Sequence, residues 1–183
     1  MHIPKLFDAI RQAETILSET LVGEVKIKTY QAKSTEIINA IMTIDSAKFR
    51  KELQYDEEEL RQRITRPGFW CIVAYLNGQP VGFDYGYDDE EEGVFFSDSE
   101  ATMIERKGIG RLLGILELLY LYEEGYRLVK FTTEEMDESG RPLREIWEKQ
   151  GYMVAARYPD GGVDMVLEIN KQVVAERAQK NLR

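Results

Sequence analysis

The sequence predicts an α/β fold in which a mixed, mostly antiparallel central sheet is flanked by helices. Three observations carry that expectation. Segments of helical period alternate with strand-like segments along the chain. Asn77-Gly78 stands between two apolar runs as a hairpin turn. Farther on, Gly108-Ile109-Gly110 separates a strand-like segment from a long apolar helix, as a crossover requires. Hairpins thus come early and crossovers late, without the repeated βαβαβ halves of a doubly wound dinucleotide-binding fold.

Each element follows from local pattern. Residues 3–20 carry Ile3, Leu6, Phe7, Ile10, Ile16 and Leu17 near helical spacing, with Pro4 suited to the first turn. Residues 25–30 alternate as V-K-I-K-T-Y, a half-buried strand. A second helix is expected over 34–53, with Ser34 as its N-cap and a break at Asp45-Ser46. The acidic run 56–59 opens a third helix, its charges matched to the helix dipole, and Pro67-Gly68 stops it. Residues 69–75 are almost uniformly apolar and read as a central strand. The return strand, 80–87, starts at a proline that a strand beginning tolerates. Residues 88–92 form an acidic loop before a strand at 93–101.

The helix after Gly108 is apolar on more than one side and should be the best buried, with Gly125 as its C-cap. A strand at 128–133, a helix at 139–150, a hairpin of 152–158 and 163–169 around Pro159-Asp160-Gly161-Gly162, and a weak helix from Asn170 complete the chain. At 183 residues this fits one domain, 1–183: a helical extension (1–22), a core (25–169) and a helical tail (170–183). The apolar stripes of the terminal helices must cover something, either a second copy in a homodimer or the substrate side of the domain itself.

Composition narrows the function. With 33 acidic residues against 24 basic ones, a broad nucleic-acid surface is not expected. Cys71, the only cysteine, lies in an apolar run and reads as core. The only histidine is His2, which argues against a metal site, a zinc hydrolase and a serine triad. Nothing reads as a membrane span or a signal peptide, so no membrane partner and a cytoplasmic location are expected.

The organising stretch is Thr102 to Gly125. Glycines at 108 and 110 let a ligand approach the backbone, and the first-turn N–H groups of the helix have no partner within it. An anion, phosphate above all, can collect several of them. No Gly-Lys-Ser/Thr follows, so this is not a nucleotide P-loop.

From residue 25 to 169 the sequence resembles the GCN5-related N-acetyltransferase (GNAT) family. That family carries R/Q-x-x-G-x-G/A between its fourth strand and third helix, where backbone amides hold the pyrophosphate of acyl-coenzyme A. The matching stretch here is Glu105-Arg106-Lys107-Gly108-Ile109-Gly110, followed by L-L-x-x-L. Glu105 stands where Arg or Gln is usual, and a carboxylate beside a pyrophosphate repels it unless it points away; Arg106, Lys107 and Arg111 compensate. A later family pattern, N-x-P-x-x-x-x-N/Y-x-x-x-G-F, is matched at Pro142, Gly151 and Tyr152. Gly140 replaces its asparagine, and Trp147 stands where a tyrosine general acid is common. An indole N–H only donates hydrogen bonds, so Trp147 cannot protonate a thiolate and is expected along the cofactor or in the core.

The resemblance implies a GNAT-like sheet and an acetyl-CoA (or other acyl-CoA) dependent N-acetyltransferase. It would act on a small-molecule amine or a protein amino group by direct attack in a ternary complex. Glu100, Ala101, Arg106, Lys107, Gly108, Ile109, Gly110, Arg111 and Trp147 are the expected cofactor contacts, with a backbone N–H near Glu100 and Ala101 polarising the carbonyl. A path for the ammonium proton needs a carboxylate, a histidine or water. Asp98 and Glu100 at spacing two should share a strand face. Asp84 on the neighbouring strand shares its face with Gly82 and Gly86, which would leave room for a ligand, and Tyr85 and Tyr87 point the other way. Asp98, Glu100 and Tyr87 are therefore the catalytic candidates. The alternative is a non-catalytic relative that senses acyl-CoA or binds a partner, since Glu105, Gly140 and Trp147 all depart from the family pattern.

Overall fold

The computed structural model describes residues 2–32, 34–49, 51–137 and 139–182. Its first half runs α1 (Leu6–Leu21), β1 (Val25–Tyr30), α2 (Thr35–Lys48), α3 (Glu57–Ile64), β2 (Trp70–Leu76), β3 (Gln79–Asp88) and β4 (Val94–Thr102). Then follow α4 (Ile109–Glu124), β5 (Leu128–Glu134), α5 (Leu143–Lys149), β6 (Met153–Arg157), β7 (Gly162–Glu168) and α6 (Lys171–Asn181).

Seven strands make one sheet in the order β1-β2-β3-β4-β5-β7-β6. The β2–β3 hairpin turns at Asn77 and Gly78, both at positive φ (49° and 81°), as a tight two-residue turn demands. Every neighbouring pair is antiparallel except β4 and β5. That parallel pairing covers only Val94–Leu128, Phe95–Val129 and Phe96–Lys130. Beyond it β4 stays with β3 and β5 stays with β7, so the two strands part into a fork.

Helices cover both faces. On one, α4 supplies Leu112, Leu113, Leu116 and Leu119, all fully buried and packed with α1, α6 and the sheet. Each such leucine contributes about 1.5–3 kcal/mol by leaving water. On the other, Ile37, Ile41 and Ile44 of α2 and Leu60 of α3 close over Phe83 and Tyr85. Cys71 is buried in this second layer, as expected. Ala9, Ala13 and Leu17 of α1, and Val174 and Ala178 of α6, belong to the α4 layer, so both terminal helices pack within the chain, while Phe7 of the α1 stripe stays exposed. No helix among the described residues is long and apolar enough to cross a membrane.

Element boundaries differ from expectation in several places: the helix expected over 34–53 ends at Lys48, and three further differences have a physical cause. Pro4 precedes the first helix, which is capped at Lys5. Asp45-Ser46 does not interrupt α2, which runs on to Lys48. The buried Asp45 carboxyl accepts from the Tyr55 backbone, and desolvation pushes it up, so the helix carries it without a break. α5 begins only at Leu143, because the Asp137 carboxylate takes the N–H groups of Ser139 and Arg141 into a turn and Pro142 then starts the helix.

Candidate active site

The fork and the head of α4 define the site. Gly108 is the α4 N-cap, at φ 80°, and no side chain caps the helix. A Cβ there would be strained by that φ and would stand 3.3 Å from the Arg111 guanidinium. Just upstream, Arg106 also takes a positive φ of 59°, so the turn before the helix is tightly coiled. Glu105 turns away: its carboxylate lies 2.8 Å from Lys48 Nζ on α2, and that hydrogen bond holds it below the usual carboxylate range. The head is therefore not plugged by its own acidic residue.

A bulge in β4 decides which carboxylates meet. Tyr85 pairs with Ser99 but Gly86 pairs with Ser97, leaving Asp98 as the extra residue. The pleat is shifted there, so Asp98 and Glu100 point to opposite faces of the sheet. The expected shared face is corrected by that one inserted position. Toward α3, Asp98 Oδ2 accepts from Arg63 Nε at 2.9 Å and from Tyr87 Oη at 3.1 Å, with Tyr55 Oη 3.4 Å from Oδ1. Arg63 stacks over the Tyr55 ring, and Arg66 over Tyr87.

Toward α4, Glu100 sits across from Asp84 of β3. Glu117 of α4 joins them, and Ser97 Oγ donates to Asp84 Oδ1 at 3.4 Å. Asp84 and Glu117 are 1% and 5% exposed, whereas Glu100 keeps solvent access. Burial strips hydration from Asp84 and Glu117 and raises both, and the protein packed beside Glu100 raises it too although part of its side chain still reaches solvent. Glu100 reaches about 7 and Glu117 about 8; Asp84 rises well above its ordinary value, helped by the neighbouring charges of Glu117 and Glu100. Tyr152 feels the same three carboxyls, and burial above all pushes its phenol up.

The sequence matches no family profile and no curated protein. Solved structures give the answer. The chain is similar to the ribosomal-protein-S18-alanine N-acetyltransferase of Escherichia coli at 15% identity and TM-score 0.63, over 80% of this chain and 94% of that one. It is similar to an aminoglycoside 6'-N-acetyltransferase solved with coenzyme A at 14% identity and TM-score 0.66, over 79% and 97%. A Desulfovibrio desulfuricans protein assigned to the GNAT family of acetyltransferases aligns at 17% identity and TM-score 0.65, over 80% and 99%. This chain has the GNAT fold.

Within the GNAT fold the expected cofactor contacts fall into two groups. Glu100 and Ala101 end the strand at the fork, and Arg106, Lys107, Gly108, Gly110 and Arg111 surround the α4 head. Ile109 is buried, and its side chain lies where a Cβ on Gly82 would fall, so it can offer only its backbone. Trp147 is half-buried in an edge-to-face cluster with Phe131 and Tyr152, at 4.7 Å and 5.3 Å between ring centroids. The room expected beside Gly82 and Gly86 is corrected as well. Ile109 and Leu113 fill the first position and the Phe95 ring the second, so neither holds a ligand. Tyr87, a catalytic candidate, holds Asp98 on the face away from Glu100, and burial pushes its phenol up. Glu117 went unforeseen, although it is the one charged residue in the run I-L-E-L-L.

Proposed function

We propose that this chain is an acyl-CoA-dependent N-acetyltransferase acting on an amine. The observation that supports it most is the uncapped, glycine-opened head of α4 at the mouth of a fork between two parallel strands. The residues fit a diphosphate there. First-turn amides from Gly108 to Arg111 face outward unpaired by helix geometry, Arg106, Lys107 and Arg111 add positive charge, and Glu105 is drawn off by Lys48. Bound acyl-CoA would supply the electrophilic thioester.

The chain's own residues do the rest. β4 backbone N–H groups near the bulge orient and polarise the acyl carbonyl. Glu100, raised to about 7 by desolvation, takes the proton that an acceptor ammonium must lose before its nitrogen attacks. Asp98 is already committed to Arg63 and the two tyrosines and serves to hold the bulge.

Thiol release from acetyl-CoA against a panel of polyamines, aminoglycosides, amino acids and peptides tests this. The rate should rise with pH through about 7, as Glu100 ionises. Glu100→Gln should flatten that rise and lower kcat by roughly 100-fold. Coenzyme A binding without thiol release from any amine would favour the non-catalytic sensor, which the aromatic rather than acidic setting of Trp147 also suits.

A further inference from the structure

We propose that the closed end of the fork, at Asp84 and Glu117 behind Glu100, is a subsite for an alkylammonium group. The acceptor is then a diamine or longer polyamine, held there by one ammonium while another nitrogen reacts. The acceptor half of this inference rests on the transferase reading; the subsite does not.

The starting observation is an unsatisfied atom. Glu117 is 5% exposed, and among the described residues its Oε1 has no hydrogen-bond partner. The rest of the side chain meets only Ser97 and the Asp84 carboxyl, and a buried carboxylate oxygen without a donor is costly unless it is protonated or a cation comes to it. This chain supplies a cation elsewhere: Asp98 is paired with Arg63, and Asp89 with Lys130 at 2.5 Å. Around Glu117 it supplies more acid instead, Asp84 from β3 and Glu100 from β4. Among the described residues no ion pair reaches any of the three.

The groups facing these carboxyls leave the cation to come from outside. Ser97 is neutral and already donates to Asp84. Tyr152 keeps its proton. Arg177 of α6 lies 5.3 Å over the Tyr152 ring and donates to the Gln150 carbonyl, and among the described residues it makes no ion pair with the three carboxyls. No group of His, Cys, Asp and Glu among the described residues is arranged to hold a metal ion. An ammonium differs from a metal in this respect, because its three N–H donors reach separate acceptors at hydrogen-bond distance. Entry is through Glu100, the solvent-open member, beyond the last β4–β5 pair.

The carboxyl cluster also links binding to protons. Without a cation, desolvation favours the neutral acids: Glu117, at about 8, is mostly protonated near neutrality, Glu100, at about 7, is half so, and Asp84 is raised well above its ordinary value. An arriving positive charge favours the ionised forms, so protons must leave. A site that merely tolerated buried acid would show no such release.

The test is calorimetric titration of 1,4-diaminobutane into the full chain at pH 7 without acyl-CoA, in two buffers of different ionisation enthalpy. 1,4-Butanediol is the uncharged control, and coenzyme A is titrated in parallel. The diamine should bind, the diol should not, and the buffer dependence should report about one proton released, following the charge linkage above. The near-isosteric Glu117→Gln should weaken the diamine at least tenfold and leave coenzyme A affinity unchanged. Coenzyme A binding with no heat from the diamine, or equal binding of diamine and diol, would overturn the subsite and leave the transferase reading standing. Diamine binding without coenzyme A binding would keep the subsite and remove the transferase.

Discussion

On the α3 face of β4, Asp98 is met by Arg63, Tyr87 and Tyr55. On the α4 face, two residues later, Glu100 meets Asp84 and Glu117, and among the described residues no cation pairs with any of the three. Both carboxylates sit in one short strand beside the same bulge. Their surroundings give them different work. Asp98 is fully supplied with donors and locks the strand to α3, whereas the α4-side cluster is left electrostatically incomplete at the point where a substrate would arrive. Asp98 is paired within the chain, whereas among the described residues no ion pair reaches Asp84, Glu100 or Glu117. That division is what a perturbed, partner-poor cluster in a cleft signals more generally.

Breaking each side should give effects of opposite sign. Arg63→Ala strands Asp98, whose side chain is 7% exposed, with only its two tyrosine donors. We expect a loss of about 3 kcal/mol in urea unfolding, the low end for a broken buried pair. A loss below 0.5 kcal/mol would mean that Asp98 does not hold the bulge.

The α4-side cluster should behave otherwise. Glu117 is raised from 4.5 to about 8 in the folded chain, so between those values the folded state binds more protons than the unfolded one. Its contribution is intact below pH 4.5 and is lost as the pH rises through about 8. Glu117→Gln removes the group and should stabilise the protein at pH 9, on the order of 1–2 kcal/mol, with little change at pH 4. Thermal melts across that range check the sign, and a variant destabilised equally at both pH values would refute the assignment.

The sequence made the sheet, the hairpin and the α4 turn legible because each rests on local chemistry. Asn77-Gly78 and Gly125 adopt positive φ as their residue types suggest, and the long apolar helix is the central one. The candidate site was only half legible. Glycines 108 and 110 mark the α4 head directly, but nothing in S-D-S-E shows which residue the bulge inserts. A period-two reading therefore placed Asp98 and Glu100 together. The same limit hid the Asp84–Glu117 meeting, which depends on how α4 docks across β3. Glu117 did leave a trace, since a lone carboxylate inside an apolar helix face is costly without a purpose. The late helix was read too long because a side chain, Asp137, captured the amides that would have begun it.

Coenzyme A titrated calorimetrically into the wild-type chain and into Gly108→Val tests the central claim most directly. The substitution places a side chain at φ 80° where a Cβ already approaches Arg111, at the mouth of the amide cradle. The account predicts binding to the wild type and a loss of at least about 100-fold in the variant, as expected when a close backbone approach is blocked. The variant's circular dichroism should show the fold retained. Equal affinity in the two proteins would place the diphosphate elsewhere and contradict the account.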